Sequence, residues 1–162
     1  MRKSSVIIRS VVWSGILFVV FLGSAVQAAM IEMTLDQLTE ESISIIRGTV
    51  LSKESWWVED SSFIFTTVMV RVDESIKGTA SVSSTISILV PGGEVGEVGL
   101  GVEHAARFET SEEVVVFLKV VDESCYGITG WEQGKFTVEE GNIRENGSSV
   151  ADFTERIKET LK

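Results

Sequence analysis

The sequence predicts a mainly β protein: a small coiled antiparallel sheet or partly open barrel with short N- and C-terminal helices. Three observations predict it. Most of the chain beyond residue 41 alternates apolar and polar residues with period two. β-Branched and aromatic residues fill those stretches, and clusters of glycine, serine and acidic residues separate them. Helix-capping patterns stand before Leu35 and before Val150, one near each end.

The first 28 residues read as a leader rather than as part of the fold. Arg2, Lys3 and Arg9 form a positive start, residues 11–22 (VVWSGILFVVFL) an uncharged apolar run, and residues 23–28 offer small residues in an A-V-Q-A cleavage pattern. A retained anchor needs about 18 uninterrupted apolar residues, and Arg9 and Gln27 cut this run short. No cysteine stands at the cleavage site, which argues against a lipid anchor. The expectation is a signal peptide over 1–28 and one exported domain over 29–162, periplasmic or extracellular.

Composition then narrows the function. The chain has 14 basic and 24 acidic residues, a formal net charge of −10. Arg2, Lys3 and Arg9 leave with the leader, so the remainder is more acidic still. Such a surface repels phosphate backbones and anionic lipid, so neither nucleic acid nor, after cleavage, a membrane is an expected partner. Acidity serves solubility first; cation binding is the sharper alternative. Cys125 is the single cysteine, so no internal disulfide forms and the apolar core and sheet must hold the fold. Between Ser124 and Tyr126, with Ile128 beyond, it reads as a buried, inert thiol in a strand. One Cys and one His cannot build a structural zinc site, and no metal or cofactor is expected.

Along the exported part, Thr34-Leu35-Asp36-Gln37 fits a capping box and predicts a helix of about two turns, with Leu35 and Leu38 on one face. Residues 42–58 read as a long first strand, with Ile43, Ile45, Arg47, Thr49 and Leu51 on one face and Ile46, Gly48 and Val50 on the other. Gly48 marks a bulge or bend. After a polar turn at 59–62 comes a second long strand, 63–75. Its inward set is either Phe63, Phe65, Thr67, Met69 and Arg71 or the cleaner Ile64, Thr66, Val68, Val70 and Val72. The two strands should form a long hairpin ending at Ile76-Lys77-Gly78. A third strand, 84–91, closes at Pro91, which has no N–H for a ladder.

Residues 91–102 carry five glycines. Val98, Leu100 and Val102 alternate with Gly99 and Gly101, which predicts a strand with one bare face that another backbone or an aromatic ring approaches closely. Residues 113–121 (EVVVFLKVV) form a nearly continuous apolar run, the expected central strand. Residues 125–131 and 135–138 complete the sheet. Ser149 opens a last helix whose Val150, Phe153, Ile157 and Leu161 recur at helical spacing and should dock it on the barrel.

Chemistry is sparse. His104, the single histidine, sits in a loop with no G-x-S-x-G elbow and no H-E-x-x-H helix, and reads as a loop residue. Gly99-Leu100-Gly101 begins like a dinucleotide fingerprint, but His104 holds the third glycine position and no βαβ unit surrounds it. Glu94, Glu97, Glu103 and Glu109 line the glycine-rich loop and its exit. Their spacing fits no calcium loop, and solvated carboxylates are the default. Asn146-Gly147-Ser148 matches a glycosylation sequon. Trp56 and Trp57 are adjacent at a strand end, so one points away from whatever the other buries. Either they cover the open barrel ends or one is a contact for a partner or a glycan. Trp131 beside Gly130 reads as core closure.

Three stretches taken in order carry a resemblance. They are Ile45-Ile46-Arg47-Gly48-Thr49-Val50 with Ile76-Lys77-Gly78; Pro91-Gly92-Gly93-Glu94-Val95-Gly96 with Phe108 and Glu112-Glu113; and Gly130 with Gln133-Gly134-Lys135-Phe136. Together they resemble a group of uncharacterised exported bacterial proteins over nearly the whole exported part. His104 and Trp131 stand where that pattern has a glycine and a small or aliphatic residue. The strand order also looks like the netrin-like and tissue-metalloproteinase-inhibitor modules, whose fold is an OB-type barrel. That resemblance implies an OB-like barrel and, in the inhibitors, chelation of a protease's zinc by an N-terminal cysteine. Ala29 stands there instead, and the stapling disulfides are absent. The resemblance bears on the fold more than on inhibition.

The leading expectation is an exported, non-enzymatic binding module that engages another exported protein. Its candidate contacts are Gly93, Glu94, Gly96 and Glu97 of the glycine-rich loop and Trp56 and Trp57 nearby. A netrin-like protease inhibitor or companion is the first alternative, and a hydrolase using carboxylates such as Glu94 and Glu97 the second.

Overall fold

A computed structural model describes residues 31–59 and 62–162. The expected leader, its cleavage pattern and Ala29 lie outside these residues, as do Asp60 and Ser61 of the expected polar turn. Helix α1 (Leu35–Glu41) starts at the expected capping box: Thr34 Oγ1 accepts from the Gln37 amide at 3.2 Å, and Gln37 Oε1 accepts from the Thr34 amide at 2.8 Å. Strands β1 (Ser44–Trp57) and β2 (Ile64–Lys77) form the long hairpin, paired from Trp57↔Ile64 to Ile45↔Lys77. β3 (Thr85–Pro91) returns along β2, with Pro91 as its last residue. A small hairpin follows, β4 (Gly93–Val95) and β5 (Val98–Leu100). β6 (Glu113–Val120), β7 (Tyr126–Ile128), β8 (Lys135–Glu139) and β9 (Asn142–Ile143) complete the strands, and α2 (Val150–Thr160) ends the chain.

The protein is mainly β, with an OB-like ring. β1 pairs with β2, β2 with β3, β3 with β7, β7 with β6, and β6 with β1 again. Four of these pairings are antiparallel. The closing one, β3 with β7, is parallel and holds at a single pair, Ile88↔Tyr126, so the sheet is mixed and the barrel is partly open at that seam. The alternation of residues cannot report strand direction, because side chains alternate equally in both kinds of pair.

Two apolar clusters flank the sheet. Ile46, Val68, Val70, Val114, Val116 and Phe108 lie in the one that fills the ring. Leu38, Ile45, Phe117, Ile143, Phe153 and Ile157 lie in the other, under the two helices. β6 separates them, which is why its apolar run is continuous: residues 114–118 are wholly buried on both faces. On β2 the cleaner set is the inward one, with Ile64, Val68, Val70 and Val72 buried. Gly48 sits at a register shift, and a Cβ there would run into the Arg71 carbonyl, so the bend in β1 requires glycine.

Three expectations need correction. Leu161 caps the C-terminal end of α2 and is 40% exposed; α2 docks through Phe153 and Ile157, with Val150 half-buried. Trp131 does not close the core; it opens a 3-10 turn (Trp131–Gly134) at φ 59° and is 49% exposed. Cys125 is half-buried in the turn before β7 rather than in a strand.

Candidate functional site

The site grows from the free end of the β1–β2 hairpin. Ser55 and Thr66 face each other across it, and their hydroxyls are 2.8 Å apart. Thr66 Oγ1 donates to the Gly92 carbonyl at 2.7 Å, and the Glu94 amide donates to Ser55 Oγ at 3.3 Å. This chain of hydroxyls seats the segment that follows β3 on the hairpin. Gly92 and Gly93 have φ of 89° and 141°, and a Cβ on Gly93 would collide with both the Thr66 and Ser55 hydroxyls. Only glycine lets the backbone lie this close. The β4–β5 hairpin then turns at Gly96, φ 62°, the position at which type II′ hairpin turns carry glycine.

Between this hairpin and residues 102–109 lies a cleft of about 530 Å³. Val68, Val90, Ala106 and Phe108 form its apolar floor, each buried in the barrel cluster. Polar groups edge it. Lys53 Nζ donates to the Phe108 carbonyl at 2.9 Å and to Glu109 at 2.8 Å, which ties the 102–109 segment to β1. Arg107 is exposed on the lining and forms no ion pair among the described residues.

Beneath Phe108 lies a buried polar cluster. Lys135 Nζ donates to Glu112 Oε1 and, at 2.7 Å, to Thr137 Oγ1, and Thr137 Oγ1 donates to the same carboxylate oxygen at 2.8 Å. The Glu109 amide donates to the other oxygen at 3.0 Å. Burial alone would push the Glu112 carboxyl up. The bonds from Lys135, the Glu109 amide and Thr137 outweigh it and hold the carboxyl below its ordinary range. Phe108 and Glu112, from the second stretch of the pattern quoted above, meet Lys135 of the third here.

The predicted contacts divide. Gly93 and Glu94 line the cleft; Gly96 and Glu97 form the far turn of the small hairpin and do not. Trp56 and Trp57 do not line it either. Trp56 is 43% exposed, stacks at a tilt on Phe65 with ring centroids 6.0 Å apart, and its indole N–H donates to Thr67 Oγ1 at 3.2 Å. Trp57, 40% exposed, lies opposite Ile64 in the register, on the other face of the hairpin. The bare face of Gly99 and Gly101 also needs correction, because among the described residues no other backbone or aromatic ring packs on it. A Cβ on Gly101 would meet nothing within 4 Å, and one on Gly99 only Glu94 Cγ at 3.5 Å. The close approaches fall at Gly92 and Gly93 instead.

Sequence reasoning missed Lys53, Ser55, Thr66 and Arg107. The signal for Ser55 and Thr66 was present, since two hydroxyl residues face each other in the hairpin register. Arg107 carried none. His104 lies outside the cleft, at φ 60°, with Nδ1 2.7 Å from Glu132 Oε1. That hydrogen bond raises its pKa above the ordinary value. No cluster of three or more His, Cys, Asp or Glu side chains suited to a metal ion occurs among the described residues. Fold and site together define a small OB-like β protein with one apolar-floored cleft beside a glycine-rich hairpin. Comparison with protein-family models and with curated proteins gives no match.

Proposed function

We propose that this is an exported, non-enzymatic binding module that engages another exported protein through the cleft between the glycine-rich hairpin and residues 102–109. One observation carries the reading: the cleft joins an apolar floor to a polar, charged rim, the anatomy of a protein–protein contact. The ionisable groups in the cleft and the nearby His104, which lies outside it, favour recognition over proton transfer. Lys53 is committed to Glu109 and a backbone carbonyl, and His104 is turned to Glu132. The export part of the reading rests on the leader pattern over 1–28.

Gly101→Trp is the test. Gly101 lines the cleft, its Cβ would meet nothing within 4 Å and its φ is not in the left-handed region, so a large side chain can be placed at the cleft without disturbing the backbone. The leaderless protein, immobilised and presented with envelope extract, should capture a partner that Gly101→Trp loses while its unfolding midpoint stays unchanged. A Trp at Val82, exposed and outside the cleft, should leave capture intact. Capture that survives Gly101→Trp would sink the proposal.

A further inference from the structure

We infer that the outer edge of β5 receives an extended segment of the partner as an added strand, with a carboxylate of that segment held by Arg107. This rests on the cleft being the binding site, and it commits to the form of the occupant.

The backbone makes the case. Among the described residues β5 pairs with β4 alone, so its other edge carries no strand of theirs. In a hairpin closed by Gly96 and Glu97, the flanking pair Val95↔Val98 is the hydrogen-bonded one. Alternation then turns the N–H and C=O of Gly99 away from β4, towards the free edge. Among the described residues no other backbone hydrogen bond ties Gly99 or Gly101. Gly99, Leu100 and Gly101 all line the cleft. Gly99 and Gly101 have no side chains, so what they present to the cleft is backbone. An exposed edge of this kind is a template for strand addition. The bare glycines remove the side chains that would hold an incoming backbone away.

Charge selects among extended segments. Arg107 has no ion-pair partner among the described residues of a chain of net charge −10, and a carboxylate is its fitting partner. Glu94, on the β4 wall of the same cleft, repels a carboxylate placed beside it. The two charges therefore fix which way the segment lies.

The test uses the leaderless protein and a phage-displayed random peptide library, with elution limited to clones that Gly101→Trp fails to bind. The expected selection is extended, uncapped sequences with an Asp or Glu, or a free C-terminal carboxylate, at one fixed place. On a selected peptide made synthetically and followed by fluorescence anisotropy, N-methylation at every second residue should abolish binding, and methylation of the intervening residues should not. Arg107→Gln should weaken it about tenfold, as loss of a charged hydrogen bond does, and flatten its salt dependence. Indifference to backbone methylation, or to Arg107→Gln, overturns the inference. So does a library that yields no Gly101→Trp-sensitive peptide. In either case a folded partner lost on Gly101→Trp leaves the wider reading of the cleft intact.

Discussion

The Lys135 ammonium lies 5.5 Å from the centroid of the Phe108 ring, so the side chain that floors the cleft is also the lid of the buried ion pair beneath it. Cleft and core are thereby one mechanical unit. Glu112 receives the Glu109 amide, and Glu109 receives Lys53 of β1, so the 102–109 segment is pinned from both sides.

Removing the counter-charge should loosen both. Lys135 is 8% exposed, and Glu112→Gln leaves its ammonium without a carboxylate, which should cost roughly 3 kcal/mol. Adding Lys135→Met to the same chain should recover part of that loss, because the stranded charge is gone. Chemical denaturation of the two variants measures both effects. The wild-type pair also sets a pH dependence. The Glu112 carboxyl is held below its ordinary range in the folded state. Its contribution is therefore complete above the unfolded value and is lost as pH falls through the lower, folded one. Midpoints measured from neutral pH downwards should drop in the acid range, and less steeply in Glu112→Gln.

His104 should titrate above a free imidazole. The Glu132 hydrogen bond favours its charged form, so any stability it lends is present below the unfolded pKa and fades as pH rises through the folded one. An NMR titration of the imidazole should place its midpoint above the ordinary value, and Glu132→Gln should bring it down. A midpoint that ignores Glu132→Gln would show that the contact is not formed in solution.

How far the sequence reached follows from what periodicity can carry. The β1–β2 hairpin, the inward face of Ile64, Val68, Val70 and Val72, and the caps at Thr34 and Ser149 were legible because each is a local pattern. Thr34 and Ser149 bond within three residues of themselves. The parallel β3–β7 seam was not, since direction leaves no mark on alternation. The glycine-rich run was recognised, but its roles were exchanged: Gly93 takes the close contact and Gly101 the open space. Which glycine packs depends on where Ser55 and Thr66 stand in three dimensions, and that follows from the hairpin's reach past the barrel. Tyr126 and Ile128, which follow the single Cys, give it the look of a strand residue, whereas Asp122 folds the chain into a turn just before the strand starts.

Cys125 should be slow to react. Desolvation and the bond its Sγ donates to Asp122 Oδ2, 3.2 Å away, raise the thiol's pKa, which reduces the reactive thiolate. Asp122 is held down to about 2, chiefly by the Ser124 hydroxyl and amide. Alkylation of the folded protein at neutral pH should be slower than that of the unfolded chain, and Asp122→Asn should speed it. Cys125→Ala should fold as wild type within about 1–2 kcal/mol, since only a half-buried thiol is removed.

The last prediction sets two glycines of one loop against each other. At Gly93 the backbone has φ 141°, and a Cβ would strike the Ser55 and Thr66 hydroxyls that seat the segment on the hairpin. Gly93→Ala must either twist away from that backbone angle or push the two hydroxyls apart, and it breaks the bond from the Glu94 amide as it does so. A loss of roughly 1–3 kcal/mol is expected, as for other overpacked sites. At Gly101 nothing lies within 4 Å of a Cβ and φ is not in the left-handed region. Gly101→Ala should therefore be neutral or slightly stabilising, because alanine narrows the unfolded ensemble. Thermal unfolding of the pair decides the matter. A stable Gly93→Ala would mean that the hydroxyl chain does not hold the glycine-rich hairpin, and an unstable Gly101→Ala that the cleft is filled by the chain itself.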